Sequence, residues 1–175
     1  MIEVAEGART KSYGEGYQPT PVDRFGVWLS ARQIHRYVPG FRGKRIGDFG
    51  CGYHAAFART ILDSVDAAVL ADVSISTDLR NHPKVRALTG PIPEVLSEIE
   101  SQSLDVILCI SILEHLWEPA RAIAEFHRLL VPGGVCLFNV PSWPLLMRAG
   151  FRPSDIRCFS HKFGLNTFAV CRSPK

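Results

Sequence analysis

No two cysteines of this chain form a C-x-x-C pair. Cys51, Cys109, Cys136, Cys158 and Cys171 are scattered and odd in number. That pattern disfavours a disulfide framework and a cysteine-based zinc site. Four of the five stand in apolar runs, where a cysteine behaves as a small buried hydrophobe. The six histidines show no H-E-x-x-H spacing, so no metal is expected. No apolar run approaches the roughly 20 residues that span a bilayer. The opening Met-Ile-Glu-Val-Ala-Glu-Gly lacks the charged-then-apolar order of a secretory signal. A cytoplasmic protein without a membrane span is therefore expected. Basic clustering is also scarce. The nearest block, Arg42-Gly43-Lys44-Arg45, is short and precedes a strand, and the net charge is only +3. A nucleic-acid partner is not expected from so mild a balance. Internal repeats and low-complexity tracts are missing as well.

What is present suits one soluble domain with a sizeable core: 175 residues, 46% hydrophobic and 21% charged. Residues 1–21 are polar and glycine-rich, with Pro19 and Pro21, and read as a flexible N-terminal arm. Residues 22–175 read as the single domain. It opens with a helical pattern over 22–37 (Val22, Phe25, Trp28, Leu29 and Ile34), with Asp23 in the first turn and Pro39-Gly40 ending it.

Strands and helices then alternate. The expected strands are 45–49, 67–71, 84–88, 104–110 and 135–140, with helices over 54–63, 93–100, 119–130 and 143–149 between and after them. Two further strands, 157–161 and 166–172, flank Phe163-Gly164 as a hairpin. Leu104–Ile110 is nearly all apolar, as a parallel strand covered on both faces is. Pro132-Gly133-Gly134 stops the preceding helix. The pattern predicts an α/β fold with a doubly wound, mostly parallel sheet and one antiparallel strand in the closing hairpin.

Gly50-Cys51-Gly52 stands where the first strand becomes a helix. Glycine lets the backbone approach a bound nucleoside closely there. Asp72 ends the next strand 22 residues after Gly50, a spacing at which a carboxylate accepts hydrogen bonds from ribose hydroxyls. The plainer alternative is a tight turn with Asp72 capping the next helix. Gly50 to Ala55 also fits the loose dinucleotide pattern G-x-G-x-x-A. Against NAD stand the bulky His54 at the helix start and Asp48 just before the glycines. A carboxylate there repels a pyrophosphate but attracts an ammonium group.

These residues resemble the class I S-adenosylmethionine-dependent methyltransferases. Asp48-Phe49-Gly50-Cys51-Gly52 looks like their first motif. Leu104 to Leu116, ending in Glu114-His115-Leu116, resembles the fourth-strand motif of a Glu-His-Leu branch. Phe126 to Gly134 is similar to their helix and turn before strand five. The resemblance implies a three-layer Rossmann-like sandwich with a seven-stranded sheet. It implies S-adenosyl-L-methionine as cofactor, with S-adenosyl-L-homocysteine as product. Asp48 and the backbone of Gly50, Cys51 and Gly52 would hold the methionine part. Asp72 would hold the ribose, and Val73, Pro91 and Ile92 would flank the adenine. The backbone at Ile110 and Ser111 would complete the methionine site. The family often has an acidic residue after strand three; here Gly90-Pro91 stands in that place.

A hydroxyl acceptor also needs a base. His115, after strand four, and His161, at the end of the next-to-last strand, are the candidates. The chain lacks Asn-Pro-Pro-Tyr, which disfavours adenine-N6 and protein-glutamine methylation and leaves a small-molecule acceptor as the leading expectation. The segment after Ser142 is short for this family. Either Tyr13 and Tyr17 of the arm with Trp28, a homodimer mate or a partner protein would then complete the substrate site, or a lid is absent from this sequence. The alternatives are a non-catalytic binding or partner module and, further off, an NAD-linked oxidoreductase. A bulky residue at position 50, as in Gly50→Val, is expected to block the cofactor while leaving the fold intact.

Overall fold

A computed structural model describes residues 11–139, 147, 148, 150–161 and 166–173. Helix α1 spans Pro21–Tyr37. Its start is fixed by a capping box: the Asp23 amide donates to Thr20 Oγ1 and the Thr20 amide donates back to Asp23 Oδ2 at 2.8 Å. Pro21, which has no amide hydrogen to lose, occupies the first turn.

The strands are β1 (Arg45–Phe49), β2 (Ala67–Asp72), β3 (Val85–Thr89), β4 (Leu104–Cys109), β5 (Leu130–Asn139), β6 (Ile156–His161) and β7 (Asn166–Arg172). They form one sheet in the order β3-β2-β1-β4-β5-β7-β6. β1 to β5 pair in parallel, and β7 is antiparallel to both of its neighbours. The sheet is thus the seven-stranded, mostly parallel one expected.

Alternate residues of the central strands feed two separate cores. Ile107 and Cys109 of β4 join Ala122, Ile123, Phe126 and Leu129 of helix α4 (Pro119–Leu129) on one face. Val106 and Leu108 join Ile34 of α1, with Ala58 and Leu79, on the other. Cys109, Cys136 and Cys171 are buried in the sheet, as expected of small hydrophobes. Three layers result. Among the described residues no helix is long and apolar enough to cross a membrane.

Three elements differ from expectation. The helix expected over 54–63 shrinks to α2, Ala56–Arg59. Ala55 takes a left-handed conformation, φ 42°, which breaks the helical path at its start, and turns replace the rest. The helix expected over 93–100 is a 3₁₀ turn, Glu94–Glu98. It is held from outside: the Arg128 guanidinium donates to the carbonyls of Leu96 and Ile99, each at 3.0 Å. Strand five begins at Leu130 rather than 135. Leu130 is already extended, so α4 stops before Pro132, and 131–134 form a bulge between the pairs Leu104–Leu130 and Val106–Val135. The third helix, α3, is the single turn Thr77–Arg80. Most of the helix expected over 143–149, and Phe163-Gly164, lie outside the described residues.

Candidate functional site

A doubly wound sheet binds ligands in the crevice beyond the carboxyl ends of its parallel strands. Four of the expected site segments meet at that edge. Asp48, next to last in β1, pairs with Leu70 of β2, and Asp72 ends β2 two residues further on. Gly50 turns the chain at φ 76° and donates its amide to the Ala71 carbonyl at 2.7 Å. A Cβ there would lie 2.6 Å from Ile112, so the turn touches the segment after β4. Gly52, at φ 75°, donates its amide to Asp72 Oδ2 at 2.8 Å. The Val73 amide donates to Asp72 Oδ1 at 2.8 Å. The Gly90 amide donates to the Asp72 carbonyl at 3.0 Å and brings Pro91 and Ile92 to the same edge. Ile110 is half-buried, and Ser111 is exposed in a left-handed conformation at φ 58°.

The two carboxylates define the electrostatics. Both are buried. Burial, and then the charge of Asp72, push Asp48 up to about 7. Burial, with the charges of Asp48 and Asp72, also drives the Cys51 thiol well above its usual range. Cys51 is therefore a poor nucleophile at neutral pH.

The histidines part company. His115 is exposed on the 3₁₀ turn Leu113–His115, just beyond the end of β4. His161 ends β6, three strands beyond β4, or roughly 14 Å across the sheet at the usual strand spacing. The structure therefore does not bring these two together. Among the described residues no cluster of His, Cys, Asp and Glu is arranged to hold a metal ion.

A cavity of about 460 Å³ opens on the other side of the glycine turn. Tyr13, Arg24 and Trp28 line one wall, and Cys51, His54 and Phe57 the other. Tyr17 does not line it but packs edge-on against Tyr13, with ring centroids 5.8 Å apart.

The arm contributes more than the sequence indicates. From Ser12 onward it is seated on the glycine turn instead of hanging free. Ser12 is only 4% exposed. Its hydroxyl donates to Asp72 Oδ1 at 2.5 Å and accepts from the Ser74 amide at 2.9 Å. Glu15 Oε2 accepts from the Ser12 amide and from Ser74 Oγ. The Tyr53 amide donates to the Tyr13 carbonyl at 2.9 Å. No motif signals Ser12, Glu15 or Ser74, because their partners lie about 60 residues away in sequence.

Two left-handed glycines and a buried carboxylate at the carboxyl end of each of two adjacent strands fit an adenosine-bearing cofactor with an amino-acid tail. A methyltransferase-domain family model matches residues 23–166. The chain belongs to that family, the class I S-adenosylmethionine-dependent methyltransferases. It is 28% identical over 119 residues to a Mycolicibacterium smegmatis protein described as a probable S-adenosylmethionine-dependent methyltransferase. That match covers 66% of the chain and 46% of the relative. It is 32% identical over 120 residues to the ubiquinone biosynthesis O-methyltransferase of Psychrobacter arcticus, covering 64% and 46%. The chain thus spans just under half the length of these relatives. In fold it resembles the N-methyltransferase NodS of Bradyrhizobium japonicum, solved with S-adenosylhomocysteine. The TM-score is 0.64 at 14% identity, over 89% of each chain.

Proposed function

We propose that this protein transfers a methyl group from S-adenosyl-L-methionine to a small-molecule acceptor. The observation that carries the reading is the convergence of Asp48, the Gly50–Gly52 turn and Asp72 at the ends of β1 and β2. When bound, the cofactor supplies an electrophilic methyl on a sulfonium sulfur. The protein's part is to bind, orient and exclude water.

Ionised Asp48 pairs with the methionine ammonium, and the backbone of Gly50, Cys51 and Gly52 lets that end lie close. The backbone at Ile110 and Ser111 closes the methionine end. Asp72 accepts from the ribose hydroxyls. Val73, Pro91 and Ile92 flank the adenine. The cavity bounded by Tyr13 and Trp28 is the acceptor's place, and its aromatic walls suit an apolar or ring-bearing molecule. The name of the Psychrobacter relative points the same way. For a hydroxyl acceptor, His115 is the nearer proton acceptor; a role for His161 needs residues outside those described. Action in the cytoplasm, without a metal, completes the reading. A homodimer mate or partner protein is the alternative source of the acceptor wall.

Calorimetry with S-adenosylhomocysteine, with NADH as control, tests the cofactor assignment. Micromolar binding of the first alone is expected. Binding of NADH alone would replace the reading with an oxidoreductase, and binding of neither with a non-catalytic module. Asp72→Ala is expected to weaken S-adenosylhomocysteine binding by about 1–3 kcal/mol through lost hydrogen bonds to a charged acceptor. Unchanged affinity would sink the ribose assignment.

A further inference from the structure

We propose that Ser12 is a further cofactor-site residue. The Ser12–Glu15 turn rests on Asp72 where the ribose would bind, and it surrenders Asp72 when the cofactor enters. This rests on the assignment of Asp72 to the ribose.

The argument is a count of acceptor sites. A carboxylate offers about four. Val73 and Gly52 amides take two of those on Asp72, and the Ser12 hydroxyl takes a third. The amide bonds belong to the strand end and the glycine turn, which the fold holds fixed. A ribose diol donating both hydroxyls needs two sites, and one is left. Only the Ser12 contact can yield without breaking the sheet edge.

The turn is built to hold this place and to leave it. Ser12 is buried, while Lys11 and Tyr13 on either side of it are exposed. Its oxygen sits within 2.6 Å of the Ser74 carbonyl as well as 2.5 Å from Asp72, so one proton serves two acceptors. The other anchors are Glu15 to the Ser12 amide and Ser74 Oγ, the Ser74 amide to Ser12 Oγ, the Tyr13 carbonyl to the Tyr53 amide, and the Tyr13 hydroxyl to Asp23 of α1. None of these is made to a strand. Breaking them costs far less than opening the core. Entry of the cofactor therefore exchanges one hydroxyl donor on Asp72 for two.

Removing the competing hydroxyl removes a cost that the cofactor otherwise meets. Ser12→Ala is expected to bind S-adenosylhomocysteine roughly three- to tenfold more tightly than wild type, the worth of one net hydrogen bond. Glu15→Ala, which loosens the turn without touching Asp72, shifts affinity the same way. Amide exchange supplies a readout independent of affinity. On adding S-adenosylhomocysteine to wild type, the Ser74 and Tyr53 amides are expected to exchange faster while the β1 and β4 amides exchange more slowly. Melting curves confirm that both variants fold. Weaker or unchanged binding by Ser12→Ala would overturn the proposal and make Ser12 a contact of the bound state or a bystander. Absence of binding by wild type and both variants would defeat the cofactor reading itself, and this proposal with it.

Discussion

Asp48 and Asp72 lie at the carboxyl ends of adjacent parallel strands as buried carboxylates, and the charge of Asp72 raises the proton affinity of Asp48. Two such groups on a hydrophobic sheet edge cost stability. A cationic ligand group would offset that cost, as expected of a site kept for binding.

The pH dependence of stability follows from Asp48. Its carboxyl titrates near 7 when folded, against an ordinary value of 3.8. Between those values the folded state holds the extra proton. The group's contribution is therefore complete below about pH 3.8 and is lost as pH rises through 7. Asp48→Asn removes that slope. Thermal melts at pH 5 and pH 8 are expected to show the variant gaining on wild type at pH 8 by a few kcal/mol, as an order of magnitude. Parallel curves would place Asp48 in a more solvated setting.

Cofactor affinity should run the opposite way. An ammonium group selects the ionised form of Asp48, so wild-type binding of S-adenosylhomocysteine tightens between pH 6 and pH 8, by at most about tenfold per unit. Calorimetry across that range checks it. In Asp48→Asn the affinity falls and its pH dependence flattens. A wild-type affinity that is flat in pH would remove Asp48 from the methionine site.

Gly50 resists substitution for two separable reasons. Its φ of 76° strains any side chain, and a Cβ would press on Ile112 at 2.6 Å. Gly50→Ala is expected to destabilise by about 1–3 kcal/mol, with Gly50→Val worse. The sequence-based expectation that Gly50→Val spares the fold does not hold against this contact. A double-mutant cycle with Ile112→Gly, which removes the Cβ, Cγ1 and Cγ2 atoms that the added Cβ would meet, is expected to recover the steric part and leave the backbone strain. Full additivity in denaturant unfolding would refute the contact.

Arg128 pins the turn beside the proposed adenine site. Its guanidinium donates to Leu96 and Ile99 carbonyls and to Ser101 Oγ, and it pairs with Glu125 at 2.6 Å. Arg128→Lys loses the fork geometry and is expected to cost about 1–2 kcal/mol, with earlier amide exchange over 94–99. Unchanged exchange there would mean that the turn holds by its own packing.

Much of this was legible in the letters. β1, β2, β4 and α4 emerge within a residue or two of expectation, because buried parallel strands and an amphipathic helix leave periodic local patterns. Asp48, Gly50, Gly52 and Asp72 were legible for a related reason. A strand-turn-helix unit places them by spacing alone, so fixing the strands fixes where they end. Ala55 was not legible. Nothing in its side chain favours φ 42°, and it takes that conformation because the chain must leave the glycine turn at that angle. Nor was the 3₁₀ turn at 94–98, whose stabilising donors come from Arg128 on another element.

The sequence by itself determined the alternation of strands and helices and the residues at the carboxyl ends of β1 and β2, since these depend on near neighbours and alternation. Only the tertiary structure decided that Ser12 would rest on Asp72, that Ile112 would close over Gly50, and that His161 would end three strands from β4. Those relationships join residues tens of positions apart. They are selected by packing and hydrogen-bond satisfaction once the sheet has formed, and no local pattern encodes them.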